Sequence, residues 1–175
     1  MICLYLGRRG AGKTLSMVKD AYLYHKGGFK IISNMSTLNF EHTYMTNEEI
    51  LKLTKDSDIK NCVIVVDEVQ LLFDSRRSMK KENITFSNFI QQIRKRNIKL
   101  LGTTQFDNTI DKRLRDHTDI LALPKFEKEY NICRVKYVDP TSTHDLENVT
   151  GEYENAVIKY DATMVFGLYD TEEMF

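Results

Sequence analysis

The stretch Met1-Ile2-Cys3-Leu4-Tyr5-Leu6-Gly7-Arg8-Arg9-Gly10-Ala11-Gly12-Lys13-Thr14 decides the fold. Its second half has the form G-x-x-x-x-G-K-[ST], and its first half is a short apolar run. An apolar run closed by glycine reads as a buried strand. From Lys13 to His25, Leu15, Val18, Ala21 and Tyr22 recur at three- and four-residue steps, and Gly27-Gly28 follows. That is a one-faced helix with a glycine stop. A strand, a glycine-rich turn and a helix in this order build an anion site. Glycines let the backbone wrap tightly, its N–H groups converge, and the helix N-terminus adds partial positive charge. The set Gly7, Arg8, Arg9, Gly10, Ala11, Gly12, Lys13, Thr14 and Leu15 is expected to hold the phosphates of ATP. Lys13 reaches the terminal phosphates and Thr14 offers a hydroxyl to Mg²⁺.

Further along, Cys62-Val63-Ile64-Val65-Val66 is β-branched and apolar at every position after the cysteine, as a central parallel strand is. It ends in Asp67-Glu68. Sites of open α/β sheets lie at the carboxyl ends of strands. Asp67 is expected to hold Mg²⁺ through its water shell, and Glu68 to orient and deprotonate an attacking water. A third apolar run, Ile98 to Thr104, ends at Gln105. If that strand lies between the other two, Gln105 points at the γ-phosphate, where a glutamine holds water or senses hydrolysis.

Other elements follow the same logic. Phe29 to Ser33, Asp119 to Leu123 (stopped by Pro124), Ala156 to Tyr160 and Met164 to Tyr169 read as strands. Phe40 to Met45 reads as a short one, and Tyr130 to Val138 alternates as a strand exposed on one face. Thr46 and Glu49 form a capping box, and Thr85 to Asn97 reads as a helix with Phe86, Phe89, Ile90 and Ile93 inward. The expected fold class is α/β, a mostly parallel central sheet flanked by helices, with a small antiparallel C-terminal extension. One domain is expected, residues 1–125 forming the core and 126–175 the extension.

Composition agrees with a globular chain: 175 residues, 42% hydrophobic and 29% charged. Cys3, Cys62 and Cys133 are widely spaced and read as core thiols of a reducing compartment. The four histidines have no partners at ligand spacing. No signal peptide is recognisable and no apolar run approaches the ~20 residues that span a bilayer, so a soluble, cytoplasmic protein is expected. The net charge is zero but uneven. Arg76, Arg77, Lys80, Lys81, Arg94, Lys95, Arg96 and Lys99 face only Glu82 between Ser75 and Lys99, whereas the stretch from Asp145 onward is acidic. Arg76, Arg77, Lys80 and Lys81 are candidate contacts to a DNA backbone; a solvated basic loop is the plainer reading. Thr54-Lys55-Asp56-Ser57 lacks the aspartate of a guanine-reading element and precedes the acidic strand, which disfavours GTP.

Beyond the loop, Asp67-Glu68-Val69-Gln70, Phe73-Asp74-Ser75-Arg76, Ile93-Arg94-Lys95-Arg96-Asn97-Ile98, Thr103-Thr104-Gln105, Ile110-Asp111-Lys112-Arg113-Leu114-Arg115 and Leu168-Tyr169-Asp170-Thr171-Glu172 together resemble the Zot-like branch of the FtsK–HerA superfamily. The resemblance implies a RecA-like (ASCE) core with the acidic and sensor strands flanking the first strand. It implies a ring-forming ATPase, a hexamer, acting on double- or single-stranded DNA in an infected host cell. A capsid or membrane-associated viral protein would be its partner. It also implies an arginine finger from a neighbouring copy. Arg94, Arg96, Arg113 and Arg115 are the candidates, although Arg94 and Arg96 also suit a helix C-terminus. Filamentous-phage assembly members carry a membrane-spanning segment, and the want of one here favours a soluble genome-packaging motor. An assembly and extrusion ATPase, or a nucleotide-dependent binding switch, is the alternative.

Overall fold

The computed structural model describes residues 1–53, 59–73, 88–105, 112–140 and 156–170. Eight strands form one sheet in the order β3-β2-β4-β5-β1-β6-β7-β8. They are β1 (Ile2–Leu6), β2 (Lys30–Ser33), β3 (Thr43–Tyr44), β4 (Cys62–Val66), β5 (Lys99–Thr104), β6 (Ile120–Glu127), β7 (Ile132–Val138) and β8 (Ala156–Asp161). β3 to β6 in this spatial order are parallel, and β7 and β8 are antiparallel additions at one edge. The arrangement is a RecA-like α/β fold.

The helices are α1 (Lys13–Lys26), α2 (Asn47–Lys52), α3 (helical over 88–95), α4 (Lys112–Asp116) and α5 (Thr163–Phe166). The central strands are apolar at both parities because both faces are covered. Ile2, Leu4, Ile64, Val66 and Leu100 pack on one side with Ile50 of α2 and Phe89, Ile90 and Ile93 of α3. Cys3, Tyr5, Val63, Val65 and Leu101 pack on the other with Leu15, Val18 and Ala21 of α1. The capping box at Thr46–Glu49 is present, and the three cysteines are buried and free. Among the described residues no helix is long and apolar enough to cross a membrane.

Three expectations need correction. The acidic strand β4 does not flank β1; β5 lies between them, which meets the condition set for Gln105. Pro124 does not stop β6. Pairing with β1 is last recorded at Ala122, and the register puts Gly7, past the end of β1, opposite Pro124, so its missing N–H costs nothing on that side while β7 continues the pairing at Val135. Met164 to Tyr169 is not a strand. Asp161 Oδ1 accepts from the Thr163 N–H at 2.9 Å and its hydroxyl at 2.6 Å, which turns the chain into α5. Only Tyr169 then pairs, in a single antiparallel bridge with Leu38.

The segment 162–170 is a strap. It starts where the Ala162 N–H meets the Asn131 carbonyl at 2.7 Å, beside β7. It lays Val165 and Tyr169 into the core that α1 shares. It ends beyond β2, where Asn39 N–H donates to Leu168 O at 2.8 Å and Asp170 N–H to Thr37 O at 3.1 Å.

Candidate nucleotide site

The loop from Gly7 to Gly12 leaves β1 and enters α1. Gly10 and Gly12 have φ of 78° and 90°, a region that L-residues with a Cβ avoid. A Cβ on Gly12 would also stand 3.1 Å from Phe126 Cβ and 3.3 Å from Cys133 Sγ. Gly12 is the N-cap of α1, and no side chain caps that end, so the first N–H groups of the helix remain for an anion. Ala11 N–H donates to Arg8 O at 3.1 Å, and Lys13 Nζ donates to the same carbonyl at 3.1 Å. The lysine therefore spans the loop it belongs to. Burial lowers the pKa of its ammonium, while the Asp67 and Glu68 carboxylates push it back up.

Asp67 and Glu68 follow β4, and Thr103 to Gln105 end β5 beside it. Thr14 Oγ1 donates to Asp67 Oδ1 at 3.2 Å, and Thr103 Oγ1 donates to the same oxygen at 2.5 Å. Thr103 Oγ1 accepts the Glu68 N–H at 2.8 Å. Gln105 Nε2 donates to Glu68 Oε1 at 3.4 Å. Glu68 has φ of 55°. The other described non-glycine residues in this region are asparagines, which tolerate it better. Strain held at one residue by fixed neighbours marks a site whose geometry matters.

Asn34, just after β2, is a residue that sequence reading missed. Its Oδ1 accepts the Asp67 N–H at 2.9 Å, and its Nδ2 donates to Asp67 O at 3.1 Å and Asn47 Oδ1 at 3.0 Å. It clamps Asp67 at both its N–H and its carbonyl. Ser16, also missed, is wholly buried and donates to Gly12 O at 2.8 Å. Since that uses its one proton, Tyr160 Oη at 3.0 Å is the donor to Ser16. A chain of hydroxyls thus ties β8 to the start of α1.

The donor set suits the expected groups. Thr14 and Asp67 offer oxygen only, as a hard divalent cation prefers. The left-handed glycines and uncapped helix suit a phosphate chain.

The arginines lie elsewhere. Arg94 pairs with Asp119 at 3.6 Å and donates to His117 O at 3.5 Å; Arg96 donates to Leu53 O at 3.2 Å, and its own carbonyl accepts from Asn61. Asn61 and Asp119 stand just before β4 and β6, at the end of the strands opposite the loop. Arg115 is on α4, shortly before β6. The side chain of Arg113 lies outside the described residues, as do Arg76, Arg77, Lys80 and Lys81 and the run 54–57. A surface hollow of about 300 Å³ is lined by Glu127, Lys128, Glu129 and Tyr130, at the β6–β7 turn rather than between the loop and the acids.

Comparison with known proteins accords with this geometry. No curated protein matches the chain. The N-terminal domain of zonular occludens toxin from Neisseria meningitidis is similar in structure, with a TM-score of 0.66 at 20% identity, covering 97% of this chain and 98% of that one. The genome packaging NTPase B204 of Sulfolobus turreted icosahedral virus 2, in complex with ATP-gammaS, gives 0.59 at 11%, covering 91% and 95%. The flagellar accessory protein FlaH from Methanocaldococcus jannaschii gives 0.56 at 12%, covering 89% and 83%. The family described as Zonular occludens toxin (Zot) matches residues 1–173, and the chain belongs to it. Its fold is the RecA-like P-loop NTPase fold of these neighbours.

Proposed function

We propose, taking membership of the Zot family as the premise, that this chain is a Mg²⁺-dependent ATPase that drives the assembly and extrusion of virus particles. The carrying observation is the convergence of Lys13, Thr14, Asp67, Glu68 and Gln105 around one loop. The fold alone supports a nucleotide-handling role; hydrolysis rests on Glu68. Assembly is favoured over genome packaging because the Zot match spans 1–173. The similar neisserial structure is itself an N-terminal domain. Want of a spanning helix in these residues therefore does not favour a packaging motor. The packaging reading, with DNA as track, draws on the likeness to B204.

In this reading the loop N–H groups and the α1 N-terminus hold the phosphates. Lys13 exchanges its bond to Arg8 O for the terminal phosphates. Thr14 and Asp67 hold Mg²⁺, which supplies positive charge to the phosphate oxygens when bound. Glu68 takes a proton from water, and Gln105, already hydrogen-bonded to it, orients that water. Arg94, Arg96 and Arg115 lie at the far end of the strands or lead into it. Any of them acting on a γ-phosphate does so from a neighbouring copy in a ring. Mixing an arginine variant with Lys13→Ala subunits is expected to restore part of the hydrolysis.

ATP hydrolysis measured with and without double-stranded DNA, beside Lys13→Ala and Glu68→Gln, tests the reading. Hydrolysis that disappears in both variants and ignores DNA is expected. Stimulation by DNA would move the assignment to packaging, and hydrolysis surviving in Glu68→Gln would remove the assigned base.

A further inference from the structure

The acids and the amide that meet the terminal phosphate follow β4 and β5, on one side of β1. On the other side of β1 comes β6. A phosphate chain lying along the loop, with its terminal phosphate at Asp67 and Glu68, therefore sends its nucleoside end toward β6. Phe126 of β6 stands there. Its Cβ abuts Gly12, where any added Cβ would be 3.1 Å away. Phe166 of the strap meets it edge-on, with ring centroids 6.3 Å apart at 83°. Phe166 keeps 43% of its surface in water. A large aromatic held in place by a second ring, yet open on one side beside the phosphate loop, is suited to a flat apolar partner.

We propose that the Phe126–Phe166 corner is the nucleobase site, with the base stacked on the open side of Phe166 and Phe126 fixing that ring against Gly12. The assignment rests on the phosphate-loop reading above and adds which part of the nucleotide the strap touches. Stacking tolerates any planar base, so this corner holds purines without choosing strictly between them.

Binding of Mg²⁺–ATP and of Mg²⁺–tripolyphosphate, which has no base, separates the two assignments. Phe166→Ala and Phe166→Leu, the second keeping apolar bulk, are each expected to weaken ATP by about tenfold to a hundredfold and leave tripolyphosphate unchanged. Phe166→Tyr keeps the ring and is expected to bind ATP as the parent chain does. ATP affinity unchanged in both ring-less variants, with tripolyphosphate still competing, overturns the base site and leaves the loop standing. Equal weakening of both ligands also overturns it, since it would trace the loss to the loop. A parent chain that binds neither ligand removes the loop reading and this assignment with it.

Discussion

Thr103 holds Asp67 by the shortest hydroxyl–carboxylate contact of the site, 2.5 Å from Oγ1 to Oδ1. The same hydroxyl accepts the N–H of strained Glu68. One side chain on β5 thus orients both acids of β4. Thr103→Val keeps the shape and removes both bonds. A kcat about tenfold or more below the parent is expected, with KM for ATP little changed, because the phosphate loop is untouched. Stability should fall by about 1–3 kcal/mol, since the Glu68 N–H loses its partner. Steady-state kinetics and urea melts check both.

Gly12→Ala puts a methyl 3.1 Å from Phe126 at φ of 90°, whereas Gly28, at φ of 83°, has open space around it. The backbone penalty is similar at both positions, about 1 kcal/mol. Gly28→Ala should lose about that much and bind nucleotide normally. Gly12→Ala should lose more and fail to bind. Equal losses in both would show that the contact with Phe126 is unimportant.

Glu68 carries a left-handed backbone that glycine adopts without strain. Glu68→Gly is expected to be as stable as the parent, or up to about 1 kcal/mol more so, while hydrolysis is abolished. Glu68→Gln should lose hydrolysis without that gain. Thermal melts beside phosphate-release assays separate the two.

Alkali should unfold the chain by a traceable route. Burial raises the hydroxyl pKa of Tyr5, Tyr137 and Tyr160, and raises Tyr169 to about 12. The Asp20 carboxylate adds to this at the first three, accepting bonds from Tyr5 at 2.6 Å and Tyr137 at 2.8 Å. In the unfolded chain these groups ionise near pH 10. Above that the folded state binds more protons than the unfolded one, so stability falls as pH rises. The stability these groups give is full below pH 10 and is lost as pH climbs toward the folded values. Denaturant midpoints from pH 8 to 11 should be flat and then drop, and Tyr137→Phe should drop less steeply.

What was legible in the chain is what is encoded locally. The phosphate-loop pattern carries its meaning in eight consecutive residues, and Val63 to Glu68 shows a buried strand running into acids. What was not legible depends on neighbours distant in sequence. Asn34 is an ordinary polar residue after a strand until β2 lies beside β4. Ser16 is an ordinary helix serine until Tyr160 arrives from β8. Pro124 looked like a stop because a proline breaks a strand paired on both sides, and only the early end of β1 leaves one side open. Met164 to Tyr169 looked like a strand from its apolar content, but Asp161 captured the Thr163 N–H first. The order of β4, β5 and β1 is a matter of crossovers, which no local pattern encodes.

The strap that bridges Asn131 and Asn39 sets an order of events during synthesis. The phosphate loop is made well before residues 162–170, which complete the core that α1 shares. Asn39 must wait for Leu168 before its N–H is satisfied. A nascent chain halted before that point carries the whole loop motif while Val165 and Tyr169 are still missing from that core. A chain truncated before the strap is therefore one for chaperones to hold.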